Sequence, residues 1–228
     1  MKLVNQKSTE LKVVYGPALA VDAVLFAIDQ NELKILLIKI NSGPYENKWA
    51  FPGGLAQTKE TLDETAKRVL FQKTNIDNVH LEQLYSFSDL ERDVRGRVVS
   101  VAYFALVNNP YNFKIKTTSY YSEISWWSVK KLPPMAFDHQ KIVNYALERL
   151  KSKIEYTNIV YSLLPEEFTL TELQNVYEII LDKKLDKRNF RKKMSSLDLI
   201  KKTGNKRKGE VHRPAELFCF NRRKLVFL

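Results

Sequence analysis

The chain has 228 residues, 44% of them hydrophobic and 11% aromatic, with one cysteine and a formal net charge of +11. That length has room for one larger domain and one small one, and the apolar content is enough to pack both. No apolar run reaches membrane-spanning length, no secretory h-region follows Met1, and Cys219 alone allows no internal disulfide. The composition therefore reads as a cytoplasmic protein with no membrane partner.

The positive charge is unevenly placed. Residues 1–152 carry 20 Lys or Arg against 16 Asp or Glu, and residues 153–228 carry 17 against 10. Inside that second part, residues 154–182 hold six acids and no base, whereas residues 183–228 hold 16 bases and four acids, a local charge of +12. A split this sharp in a small domain aims a positive face at a polyanion.

In chain order, residues 19–28 and 33–40 are two β-rich runs joined by Asp29-Gln30-Asn31-Glu32, a hairpin. Residues 41–48, with Gly43-Pro44, form a loop, and Trp49-Ala50-Phe51-Pro52 leads into a glycine turn at Gly53-Gly54. Thr61 and Glu64 have capping-box spacing, and Leu62, Ala66, Val69 and Leu70 follow at helical spacing. Gly54, Glu60, Arg68, Leu70 and Ile76 stand at the spacing of the signature of Nudix hydrolases, which this loop and helix resemble.

The resemblance implies three further glutamates on the same helix face, converging on a divalent cation that grips a diphosphate. Those positions are Val69, Gln72 and Lys73, and the late glycine of the motif is Asn75. A valine has no lone pair to give, glutamine is a weak neutral ligand, and Lys73 puts a positive charge where Mg²⁺ would sit. The box keeps its shape without its chemistry, so no metal, no cofactor and no catalytic residue are expected.

Further along, residues 81–87 read as a strand, residues 89–96 as a charged turn holding Arg92 and Arg95, and residues 97–107 and 120–129 as two more strands. Strands around one central helix fit an α/β/α sandwich on a mixed sheet, as the Nudix resemblance implies, and a helix over residues 137–150, with Asp138 at its start, leaves this part towards the next. A stiff join near residues 150–155 divides the chain into residues 1–152 and residues 153–228.

The second part predicts a helix over residues 157–164, a second capped by Thr169 with Glu172 three residues on, and a third capped by Asp186. Phe190 and Met194 face inward on that third helix, and Lys187, Arg188, Asn189, Arg191, Lys192 and Lys193 face out. Two strands at residues 197–201 and 217–220 flank a basic loop with Lys206, Arg207 and Lys208, with His212 and Arg213 just beyond. Three helices and a hairpin make a winged helix-turn-helix, which places the fold class as α+β. The third helix suits the major groove, and the wing suits the phosphate backbone or minor groove. Within the set, Arg188 and Asn189 have the chemistry to read guanine and adenine.

Across residues 21–220 the chain resembles the Nudix-related transcriptional regulators. The resemblance rests on Trp49-Ala50-Phe51-Pro52-Gly53-Gly54, on Ala136-Phe137-Asp138-His139, on Leu185-Asp186-Lys187-Arg188-Asn189-Phe190-Arg191, and on Arg213-Pro214-Ala215-Glu216-Leu217-Phe218. It implies a homodimeric repressor that leaves a double-stranded DNA operator when a small molecule enters the Nudix-like domain. One branch of the family senses ADP-ribose; another, in Bacteroidetes, senses L-arabinose. The lost acidic helix points to the pentose, with Tyr45, Trp49, Phe51, Asp89, Arg97, Tyr103, Glu123 and Trp127 as candidates to bind it. An ADP-ribose-responsive regulator, an active pyrophosphohydrolase and an RNA-binding relative are the competing readings.

Overall fold

The computed structural model describes residues 16–77, 79–108, 110, 121–207 and 214–227. Seven strands make one mixed sheet: β1 (Ala18–Asp29), β2 (Glu32–Ile40), β3 (Trp49–Ala50), β4 (Gly53–Leu55), β5 (Glu82–Phe87), β6 (Val98–Leu106) and β7 (Tyr121–Ser128). β1 runs antiparallel to β2 and β4 and parallel to β6; β5 pairs antiparallel with β6, and β7 with β2. The β1–β2 hairpin closes through Gln30 and Asn31, both at positive φ (50° and 60°), the type I′ geometry that matches strand twist.

Helices cover both faces of the sheet. Along β1, Ala23, Leu25 and Ala27 pack under α1 (Leu62–Thr74), and Val24 and Phe26 face α2 (His139–Tyr156). This period-2 alternation fixes which side chains reach which helix. The capping box of α1 forms as expected, with Glu64 N–H donating to Thr61 Oγ1 at 3.2 Å and Thr61 N–H to the Glu64 carboxylate at 2.7 Å. Asn75 ends the helix at φ 57°, filling a left-handed position that asparagine tolerates almost as glycine does.

α2 is longer than its predicted extent. Ile154 continues the buried stripe of Ile142, Val143, Ala146 and Leu150, so the helix runs through residues 150–155 without a break. The polar run Lys151-Ser152-Lys153 looks like a join in sequence, but Lys153 is buried and pairs with Glu82 on β5. Asp138 stands at the N-cap position without capping, because its carboxylate is taken by Arg92.

The remainder is the winged helix-turn-helix. The predicted first helix is a short 3-10 turn, Ile159–Leu163, followed by α3 (Leu170–Leu181), α4 (Lys187–Ser196) and the hairpin β8 (Ile200–Arg207) and β9 (Ala215–Phe220). β8 thus runs into what reads in sequence as loop. One continuous apolar core joins the α2 face of the sheet to this unit, including Phe51, Leu150, Ile154, Tyr177, Phe190 and Met194. The chain's end returns to the α2 terminus, where Asn158 Oδ1 accepts from Val226 N–H at 2.7 Å and Arg223 donates to the Tyr161 and Leu164 carbonyls.

Candidate functional site: a cation-lined cleft and a basic helix

The glycine turn is held open for a reason visible in its neighbours. A Cβ on Gly53 would lie 2.1 Å from Asp22 Oδ1 and 2.8 Å from Val21 O. Gly54 packs beneath Val69, whose methyl would be 3.1 Å from an added Cβ. Glycine lets β4 approach β1 this closely, and the turn then forms one wall of a cleft of about 530 Å³.

Behind the cleft lies a buried charge network. Asp22, on the α2 face of β1, accepts from Ser100 Oγ at 2.6 Å and from Arg92 at 3.4 Å, and stands 3.4 Å from His139 Nε2. His139 Nδ1 accepts the Phe51 N–H at 3.0 Å, which leaves the imidazole proton on Nε2, facing Asp22. Burial opposes charge on Asp22, but His139, Ser100 and Arg92 more than offset it and hold the carboxyl well below its usual range. Arg92 is shared with Asp138 at 2.8 Å, so it is neutralised on both sides.

The Nudix-like box itself is committed to structure. Glu60 holds Arg68 through two hydrogen bonds, 2.7 Å to Nε and 2.5 Å to the terminal guanidinium nitrogen, and that bidentate pair pulls the Glu60 carboxyl down to about 2. Arg68 also donates to the Leu55 carbonyl at 3.0 Å and to Gln72 Oε1 at 3.2 Å. Val69 is buried. Lys73 reaches from α1 into the cleft and donates to the Gly53 carbonyl and to Tyr121 Oη, with its ammonium 4.5 Å from the Tyr121 ring centre. Burial pushes the ammonium down to about 8, with Asp22 opposing the fall. Among the described residues no three His, Cys, Asp or Glu side chains gather into a metal-binding group. A valine, an amide already in use and an ammonium do not fit a divalent cation.

Of the eight residues expected to bind an effector, Phe51 and Arg97 line the cleft. Tyr45 stands behind it, packing on Phe137 at 4.2 Å and accepting Val94 N–H at 3.1 Å, which braces the 88–97 loop. Trp49 and Trp127 turn into the α2 core, edge-on at 5.1 Å, and Tyr103 faces α1 and bonds Asp63. Asp89 pairs with Lys141 at the surface, and Glu123 is exposed on β7. Strand alternation sends these side chains elsewhere. The cleft instead gathers Asp22, Lys73, Arg92, Arg95, Tyr121, Phe137 and His139 from five separate segments. The available signal was Asp22, a lone carboxylate inside the apolar run of residues 18–28.

The second candidate surface is simpler. Asp186 caps α4, its Oδ1 accepting Asn189 N–H at 2.8 Å. Phe190 and Met194 are buried, and Lys187, Arg188, Asn189, Arg191, Lys192 and Lys193 are all exposed. On the wing, Lys206 is exposed and Arg207 pairs with Glu172 of α3; Lys208, His212 and Arg213 lie outside the described residues. A helix-turn-helix with a basic outer face on its second helix has the shape that enters the major groove.

Residues 16–146 match the NUDIX domain and residues 160–220 the NrtR DNA-binding winged helix domain. The chain belongs to the Nudix-related transcriptional regulators. It is 40% identical, over 90% of its length and 82% of the relative's, to the ADPR responsive transcriptional repressor NtrR of Acinetobacter baylyi. The crystal structure of Shewanella oneidensis NrtR complexed with a 27mer DNA is 38% identical, with a TM-score of 0.77 over 89% of this chain and 93% of that one. The NUDIX domain of the same Shewanella protein, complexed with ADP ribose, is 34% identical, with a TM-score of 0.56 over 62% of this chain and 93% of that one.

Proposed function

We propose that the protein is a DNA-binding transcriptional repressor whose Nudix-like domain binds ADP-ribose, without hydrolysing it, and thereby weakens the hold of the winged helix on its operator. The observation that carries this reading is the single packed core that runs from Phe51 in the wall of the cleft to Phe190 and Met194 under the basic face of α4. A ligand site and a DNA face that share one core cannot reorganise independently. The ligand-responsive and DNA-bound relatives support the two ends of the reading.

The choice of effector follows from charge. Arg92 and Arg95 are neutralised by Asp22, Asp138 and Asp93, whereas among the described residues Lys73 and Arg97 hydrogen-bond only to neutral oxygens: Gly53 O and Tyr121 Oη for one, the Ser88 and Asp89 carbonyls for the other. Two cations without a carboxylate suit the two negative charges of a diphosphate diester, and a neutral pentose has no use for them. Together with the relatives, this favours ADP-ribose over the pentose that the missing acidic helix first suggested. Phe137, backed by Tyr45 and His139, offers an apolar face for the remainder of the ligand.

The reading also takes the chain to act in the cytoplasm as a homodimer, so that two copies of α4 meet a palindromic site. The test is duplex DNA selected from a random library with the full chain, followed by binding titrations with ADP-ribose or L-arabinose added. ADP-ribose should release the DNA and leave the nucleotide intact in the presence of Mg²⁺. Release by arabinose alone, steady hydrolysis of ADP-ribose, or a stronger hold on single-stranded RNA than on any duplex would overturn it.

A further inference from the structure

The residues of the box do not fit a divalent cation, and what stands in its place is itself a cation. Val69 is buried against Gly54. Gln72 Oε1 is taken by Arg68. Lys73, at the third of the three positions, extends over the Gly53 carbonyl to Tyr121 on the opposite side of the cleft. Two of the three N–H donors of its ammonium are used by these neutral oxygens, and no carboxylate bonds it among the described residues. A mostly buried ammonium held only by a carbonyl and a phenol is poorly compensated for the water it has lost.

We propose that Lys73 is a built-in counter-ion, which holds a phosphate of the effector where a metal-dependent homologue would need a bound divalent cation, so that effector binding requires no metal. This rests on the reading of the cleft as an ADP-ribose site and deepens it. Arg97, the other cleft cation without a carboxylate partner among the described residues, supplies the second charge for the diphosphate. The arrangement follows from the substitution pattern. A lysine in place of the last carboxylate of the box exchanges a site that must first capture a cation for one that carries the charge permanently on the helix. The same exchange removes the Lewis acid that would polarise phosphate and activate water, so recognition of the diphosphate is separated from its hydrolysis.

Protonation should then be coupled to binding. The charged or titratable groups that face the Lys73 ammonium are Asp22 from β1, Arg68 from α1, Arg95 from the 88–97 loop and Tyr121 from β7. A diphosphate arriving beside the ammonium favours its charged form, so affinity should fall as pH rises above about 8, and binding in that range should take up a proton.

The experiment is calorimetry on the full chain in EDTA, with inorganic pyrophosphate and with ADP-ribose as separate probes. Two buffers of different ionisation enthalpy report the proton uptake. Wild type should bind both probes without metal, and added Mg²⁺ should not tighten either. Lys73→Met should weaken both by about tenfold, as expected for the loss of one charge contact, and should abolish the proton uptake. Lys73→Arg should keep most of the affinity, and a cooperative melt checks that each variant folds. Binding that needs Mg²⁺, or a Lys73→Met protein that binds both probes as wild type does, overturns the counter-ion. Wild type that binds pyrophosphate in EDTA but not ADP-ribose overturns the effector while the role of Lys73 stands. Wild type that binds neither probe overturns both.

Discussion

Replacing Lys73 by methionine keeps an unbranched stem and removes a charge that the folded protein tolerates poorly. Burial is the largest influence on its ammonium, which falls from 10.5 to about 8; Asp22 opposes the fall, and Arg68 and Arg95 add to it. A drop of that size corresponds to about 3 kcal/mol of unfavourable free energy for keeping Lys73 charged in the folded state. The variant also loses the hydrogen bonds to Gly53 O and Tyr121 Oη, each contributing roughly 1.5–3 kcal/mol because the donor is charged. At neutral pH the lost bonds offset the relieved burial, so the methionine variant should be no more stable than wild type there.

The pH dependence is the sharper part. Below pH 8 the lysine is protonated in both the folded and unfolded states, and its full penalty stands. Between pH 8 and 10.5 the unfolded chain keeps a proton that the folded chain gives up, so wild type gains stability as pH rises. The Lys73→Met protein has no such group, and every other titration is common to both proteins. The gap between the two proteins should therefore move in favour of wild type across that window, by up to about 3 kcal/mol. Chemical unfolding followed by tryptophan fluorescence, run on both proteins from neutral pH upward, measures the gap. A gap that does not change with pH would refute the assignment of Lys73 as a mostly buried, poorly compensated cation.

Three other outcomes are expected. Arg188→Ala or Asn189→Ala should weaken operator binding by about 1–3 kcal/mol and random-duplex binding much less, whereas Lys206→Ala should weaken both alike and flatten the salt dependence; anisotropy titrations over a salt series separate the cases. Gly53→Ala places a methyl 2.1 Å from Oδ1 of Asp22, whose carboxylate is pinned by Ser100, Arg92 and His139, so it should destabilise the chain by roughly 1–3 kcal/mol in thermal unfolding and lower affinity for ADP-ribose. Sedimentation should find a dimer at micromolar concentration, and a monomer both with and without DNA would remove the two-fold geometry proposed for the operator.

What could be read from the sequence was whatever is encoded locally. Thr61 with Glu64, Thr169 with Glu172, and Asp186 announced three helix starts, and the structure forms all three caps. The inward pair Phe190 and Met194, four residues apart, sets the outward face of α4 by helical spacing alone. The cleft was different, because its parts meet only through sheet register. Ser100 lies opposite Ala20 on the neighbouring strand, one diagonal step from Asp22, and nothing near either residue in sequence says so. Tyr121 lies 48 residues from Lys73. Aromatic residues chosen by type fared poorly for the same reason: Trp49, Tyr103 and Trp127 are rings that the core required. Asp138 looked like a helix cap and is half of a clamp on Arg92.

That clamp bears on how the two ends of the molecule communicate. α2 has no glycine or proline between His139 and Tyr156, so it behaves as a stiff rod roughly 27 Å long. Its first residues are tied to the cleft, His139 facing Asp22 and Asp138 holding Arg92. Its last turn, with Ile154, packs in the same core as Tyr177 of α3 and Phe190 of α4, whose rings meet edge-on at 5.3 Å. A second tie crosses the seam between sheet and α3, where Lys130 pairs with Asp182 beside a cavity of about 770 Å³. The pair is exposed and easily exchanged for water, whereas the contacts of Ile154 with the α3 and α4 core are apolar and can only repack. On the proposed function, a ligand that pulls Arg92 or His139 should move one end of the rod, and the core should pass the shift to α4. The same path should then run backwards: by linkage, operator DNA should weaken effector binding by the factor that effector weakens DNA binding. Calorimetric titration of ADP-ribose with and without operator measures that factor.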